Sequence, residues 1–194
     1  MRAAALVITG LLCSASRVDA QWHVAVELAT ANYRGTATDT SGNPHARPGG
    51  GATVALRIEH SIRQARAGLR LVYGKPGLSI TGQGLTVTDR NAGQLIETAG
   101  VASFRVGGIG PSGAARVELG PALHLWKAGD EIRTRVGALT AVAYEWPVAG
   151  KLSGVVRLEG TISKSWFDES DLPPEFRRQV TWRYGVGIGL RYKL

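Results

Sequence analysis

Two sets of residues in this chain have the types and spacing to do chemistry. The first is a triplet of arginine, apolar residue and glutamate, written three times: Arg57-Ile58-Glu59, Arg116-Val117-Glu118 and Arg157-Leu158-Glu159. In an extended chain, residues two apart share a face, so each triplet puts both charges on one side and the apolar residue on the other. The second set is the histidines His23, His45, His60 and His124, whose imidazoles could serve as general bases near neutral pH. Hydrolysis would also need a nucleophile and an orienting partner. His45 falls in a loop and His60 near a strand end, which leaves His124, on the same parity as Arg116 and Glu118. A single cysteine and no clustered metal-ligand spacing argue against a zinc site or a disulfide framework, and no cofactor is expected.

The elements that must position these residues follow a period of two. Val180, Trp182, Tyr184, Val186, Ile188, Leu190, Tyr192 and Leu194 alternate with Thr181, Arg183, Gly185, Gly187, Gly189, Arg191 and Lys193. Only a strand keeps two such faces apart. The same alternation, bounded by Gly, Pro, Asp and Asn clusters, predicts strands near 22–33, 51–62, 64–74, 93–106, 114–126, 132–146, 151–163 and 180–194. Segments 34–50, 75–92 and 164–179 are long connections. Those around Arg63, Gly107 to Gly113 and Pro147 to Gly150 are short, and Lys127 to Glu131 is a shorter member of the long set. The stretch from Gly42-Asn43-Pro44 to Gly51 reads as a mobile loop. Short turns at one end and long loops at the other make an even-numbered antiparallel meander with both termini on the short-turn side.

The polar face is also small, with Ala55, Gly120, Ala122, Gly185, Gly187 and Gly189 around the charges. A solvated surface has little need of Gly and Ala, whereas a narrow lumen holding arginines needs the room. The expected lumen charge network is Glu27, Arg57, Glu59, Arg116, Glu118, Arg157, Glu159, Arg183 and Arg191. Buried ions persist only when paired, and interior charges of both signs can pair across strands. The aromatics form two bands. Trp22, Tyr144, Trp146 and Tyr192 lie near short-turn ends, and Tyr33, Tyr73, Trp126, Trp166 and Trp182 near long-loop ends, as expected of membrane-interface girdles.

At 194 residues with a mean hydropathy of -0.02, the chain is too apolar for disorder and too evenly mixed for helical membrane spans. Met1-Arg2, the apolar run Ala3 to Leu12 and Val18-Asp19-Ala20 before Gln21 read as a secretory signal peptide over residues 1–20, leaving one domain at 21–194. Removing it lowers the net charge from +8 to +7 and takes away Cys13. The cations are spread among carboxylates without a basic, aromatic-lined stripe, which argues against nucleic acid. Gly185-Val186-Gly187-Ile188-Gly189 lies inside a strand and opens no helix, so it is not a phosphate loop. Arg34, Arg47, Lys75, Arg90, Lys164, Arg177 and Arg178, on the loop side, suit a phosphate-rich headgroup layer.

In this pattern of signal peptide, eight-strand meander, charged lumen and final strand Trp182 to Leu194 with Tyr192 third from the end, the sequence resembles the small outer-membrane β-barrel family. That group includes the OmpX and OmpW proteins and the OmpA membrane domain. Members usually finish on an aromatic residue, and Leu194 departs from this. The resemblance implies an all-β, eight-stranded, up-and-down transmembrane barrel in a bacterial outer membrane, with periplasmic termini and extracellular long loops. Roles in the family range from structural and adhesive proteins to narrow channels and lipid-modifying enzymes. Lipid A deacylases of this architecture carry a serine two residues after the histidine. Here Trp126 stands in that place relative to His124, so no catalytic residue is assigned. The expectation is a monomeric, non-enzymatic protein with a structural or surface-interaction role. A narrow channel for small or hydrophobic solutes is the alternative, and a lipid-modifying enzyme comes third. Outer-membrane lipids, including lipopolysaccharide headgroups at the loop rim, are the expected partners, together with the barrel-assembly machinery acting on the C-terminal strand.

Overall fold

Alternation carried through eight strands has one consequence for the backbone. Each strand offers hydrogen-bonding groups on both edges, and closure of the sheet is the arrangement that leaves no edge open. The computed structural model describes residues 21–35, 37–39, 45–82, 85–89, 93–110, 112–128, 130–168 and 174–194. The expected signal peptide, residues 1–20, lies outside them. Eight antiparallel strands close into a barrel in chain order: β1 (Gln21–Arg34), β4 (Gly51–Ile62), β5 (Ala65–Gly74), β8 (Gln94–Ile109), β9 (Gly113–Ala128), β10 (Glu131–Ala149), β11 (Leu152–Ser163) and β13 (Thr181–Lys193). β13 returns to β1 through pairs such as Val26 with Leu190 and Leu28 with Ile188. The strands run 10 to 19 residues, enough to cross a hydrocarbon core that needs about 9 to 11 tilted residues. The eight-stranded up-and-down barrel read from the sequence is therefore the observed fold.

Burial follows parity. In β1, Ala25, Glu27, Ala29 and Ala31 point inward and are buried, while Val26 and Leu28 point outward. Leu56, Ile58, Leu69, Leu71, Val142, Leu158, Val186 and Ile188 extend the outward apolar belt, each exposed by 44% to 60%. Charge inside and aliphatic surface outside is the reverse of a water-soluble barrel.

The long connections differ from expectation. Five short strands, β2 (Ala37–Asp39), β3 (His45–Pro48), β6 (Leu78–Gly82), β7 (Leu85–Asp89) and β12 (Phe176–Arg178), form a second sheet in the order β12-β2-β3-β6-β7. All three long loops contribute. The mobile-loop reading of 42–51 fails over His45 to Pro48, which pair with β2 and with β6; residues 42–44 lie outside the described residues. Strands of three to five residues are too short for alternation to register, and their partners come from other loops. At the same end, Glu131 pairs with Ala128, so β9 and β10 extend through most of the connection expected at Lys127 to Glu131.

The outward belt gives a depth-dependent expectation. Leu158→Arg, at mid-strand on the outer face, is expected to cost about 2 to 4 kcal/mol of folding stability, and Val148→Arg, near the short-turn end, about 0 to 1 kcal/mol. Denaturant unfolding in lipid vesicles measures both, and equal costs would mean that the belt has been placed on the wrong residues.

Candidate functional site

The chemistry of this molecule is gathered inside the barrel. On β4, Arg57 and Glu59 point inward because Leu56 and Ile58 take the outer face. β9 does the same with Arg116 and Glu118, and β11 with Arg157 and Glu159. Glu27 comes from β1, and Arg183 and Arg191 from β13. All nine side chains of the expected lumen network are buried. Room for them comes from small residues opposite: in register, Glu27 faces Gly189, Glu59 faces Gly68 and Glu159 faces Gly185. At Gly189 a Cβ would sit 2.4 Å from the Val26 carbonyl oxygen and 2.8 Å from Cγ of Glu27.

The charges join in one continuous network. Glu27 lies 3.6 Å from Arg57 Nη1, 3.4 Å from Arg70 Nε and 3.0 Å from Arg157 Nη2. Arg57 Nη2 bridges Glu59 at 2.8 Å and Glu118 at 3.0 Å, and Arg157 Nη1 meets Glu118 at 2.8 Å. Toward the loop end, Arg70 and Arg183 clasp Glu159 at 2.7 and 2.8 Å, and Arg183 Nη2 donates to both oxygens of Glu97 at 2.8 Å. Toward the short turns, Arg191 Nη2 meets Glu59 at 2.9 Å, its Nη1 meets Glu145, and Arg66 Nη1 meets Glu145 at 2.8 Å. Arg116 donates through Nε to Ser103 Oγ at 2.8 Å.

Arg66, Arg70, Glu97 and Glu145 also belong to this network, beyond the nine residues expected from the sequence. Leu69-Arg70-Leu71 and Ile96-Glu97-Thr98 carry the weaker signal of one charge flanked by outward residues. His124 completes the loop-side end, with Nε2 3.1 Å from Glu97 Oε2.

Three of the expected interface aromatics are corrected. Tyr33, Trp126 and Trp166 are buried inside the loop-side mouth and do not face the outside. With Ala31 and Leu95 they form an apolar cluster against which Leu78 packs. Trp126 stacks on Trp166 at 5.2 Å and meets Tyr33 edge-on at 5.8 Å. Parity decides the first two, since Tyr33 is in step with Glu27 and Trp126 with Glu118 and His124. Trp166 lies beyond β11 and folds back over Gly93, where a Cβ would stand 2.8 Å from its ring. Arg135 holds that segment by donating to the carbonyls of Ser165 at 2.6 Å and Trp166 at 3.0 Å.

The other aromatics do face outward. Trp22, Tyr73, Trp182 and Tyr192 are exposed and Tyr144 and Trp146 half-buried on the outer face, where these two stack at 5.9 Å. Trp22 packs edge-on against His60 at 5.0 Å. Of the loop-side cations, Arg34 lies over the Tyr184 ring and Arg47 donates to the Tyr33 carbonyl at 3.3 Å. Arg90 lies outside the described residues.

What this arrangement does chemically is neutralise. Each guanidinium in the middle of the lumen meets at least two carboxylates, so removing one carboxylate strands buried charge. Glu27→Ala is expected to destabilise the barrel by about 3 to 5 kcal/mol. Glu131→Ala, which removes an exposed partner of Arg133, should cost under about 1 kcal/mol. Equilibrium unfolding of both variants in detergent checks this, and a small effect at Glu27 would mean that its three arginines find other partners.

No protein-family model matches the sequence, and no curated protein matches it. Among solved structures the chain is similar to Neisserial surface protein A, with 12% identity and a TM-score of 0.58 over 89% of this chain and 97% of that one. It is also similar to the N-terminal β-barrel domain of Pseudomonas aeruginosa OprF, with 14% identity and a TM-score of 0.45 over 90% of this chain and 100% of that one. Ail, the attachment invasion locus protein of Yersinia pestis, gives 10% identity and a TM-score of 0.43 over 90% and 100%. The closed eight-strand sheet, its apolar outer belt and the similarity to Neisserial surface protein A together give this chain the fold of the small transmembrane β-barrels.

Proposed function

We propose that this protein is a monomeric, non-enzymatic β-barrel of the bacterial outer membrane, with a structural or surface-interaction role. The observation that carries the reading is the inversion of the barrel: an apolar belt outside and a buried, mutually neutralised charge network inside. Gln21 and Leu194 lie at the short-turn end, which the reading puts in the periplasm. The five-stranded loop sheet then stands on the extracellular side, where its exposed cations, such as Arg177, meet lipopolysaccharide headgroups or a surface partner. The outward alternation of β13 is the feature offered to the barrel-assembly machinery.

Two features support a role without transport or catalysis. Among the described residues the lumen is crossed by arginine–glutamate pairs and stoppered at the loop end by Trp126 and Trp166, which leaves no wide path for solute. His124 is engaged by Glu97 and packed edge-on against Trp126, inside that stopper.

The first test is electrophoretic mobility in SDS, with and without boiling, after refolding into micelles. Folded membrane barrels resist SDS, so a shift on boiling is expected; no shift, together with solubility in the absence of detergent, would overturn the membrane reading. In planar bilayers the protein should give no steady conductance, and ion-selective open steps would replace the structural role with a channel.

A further inference from the structure

The two mouths of the barrel are built differently. Aromatic side chains close the loop end, whereas the short-turn end opens into a cavity of about 410 Å³ lined by seven arginines and lysines and no carboxylate. Three of these cations, Arg66, Arg116 and Arg191, approach Glu145 from the floor. The other four, Arg63, Arg105, Lys151 and Lys193, form no ion pair among the described residues.

Their placement concentrates positive charge. Arg105 lies directly opposite Arg116 in the β8–β9 register. Like charges facing one another across strands are unfavourable. Lys193 is also tied to Lys151 by a 3.0 Å backbone hydrogen bond to the Lys151 carbonyl. The Arg63–Gln64 turn bends over the same mouth, its Gln64 carbonyl accepting from the Arg105 amide and from Arg116 Nη2, both at 3.2 Å. Arg63 takes a φ of 57°, and no other non-glycine among the described residues has a positive φ. Asn or Gly would suit that turn better. In the mid-lumen every guanidinium meets carboxylates, so four uncompensated cations around one cavity are a departure from the rule of this interior.

We propose that this vestibule is a binding site for a compact multivalent phosphate, held by the guanidinium forks of Arg63 and Arg105 and the ammonium groups of Lys151 and Lys193. Planar guanidinium groups match phosphate oxygens in pairs, and lysine adds point charge. Ser61 and Ser153 line the cavity and supply neutral donors. The floor arginines, held by Glu145, keep the positive field without being free to collapse onto the ligand. The phosphate comes either from a soluble phosphoester or from a phospholipid headgroup at the barrel rim. That this mouth faces the periplasm rests on the membrane reading above, whereas the pocket itself does not.

The test is calorimetric titration of the full barrel, refolded in a phosphate-free zwitterionic detergent, with tripolyphosphate as probe. Saturable one-to-one binding that weakens with salt is expected. Arg63→Asn with Arg105→Gln should weaken it at least 10-fold, whereas Lys75→Gln with Lys164→Gln, exposed at the loop end, should leave it unchanged. Equal weakening by both pairs, or no saturable binding, would overturn the site. Repeating the titration in phosphatidylglycerol vesicles separates the sources: retained affinity identifies a soluble ligand, and affinity lost to the vesicle identifies the headgroup. The mobility shift on boiling is read on the same samples, so a failed barrel and a failed site give different results.

Discussion

The rest of this structure depends on the need to neutralise buried charge across strands. Glu27 on β1 holds arginines from β4, β5 and β11, and Glu97 on β8 holds arginines from β5 and β13. A backbone barrel can close with many fillings, since its ladder bonds are indifferent to side chains. A lumen of interlocking ion pairs is less permissive. A one-residue slip in any strand would turn its charges outward and strand their partners inside. The network therefore opposes register errors as well as filling space, and the glycines facing Glu27, Glu59 and Glu159 are what make the filling possible.

Most of the barrel is legible in the sequence because one signal, alternation, sets strand, face and exterior together. The eight strands emerge within a few residues of their expected ends. The interior residues flanked by plainly apolar neighbours, such as Arg57 and Arg157, are readable for the same reason. Arg70 and Glu145 carry the same parity signal, each as a single charge between outward-facing residues. The partners are not legible at all. That Arg183 reaches Glu97, 86 positions distant, depends on strand tilt and barrel size, and no local pattern contains either.

The misplaced aromatics show two signals in conflict. Position near a strand end favoured an interface role for Tyr33 and Trp126, while parity favoured the interior. Parity prevailed because turning either side chain outward would require the whole strand to slip or bulge, and β1 and β9 run in register past both residues. Trp166 had no strand to fix its parity. Its position follows from Gly93 beneath it and Arg135 beside it, a tertiary arrangement. The loop sheet was hidden for a related reason, since strands as short as Ala37–Asp39 gain their meaning from pairing with β12, over a hundred residues away.

The two mouths of the barrel differ in what fills them. A transport route needs affinity low enough along its length for solute to leave again. Here the middle is occupied by neutralised charge and the loop end by stacked rings. The basic mouth ends on a floor of three arginines gathered around Glu145. The loop sheet, on the other side of the stopper, is separated from that mouth by the full ion-pair network. The two ends thus share a scaffold but are built separately, one from stacked rings and loop strands and the other from cations over a carboxylate floor.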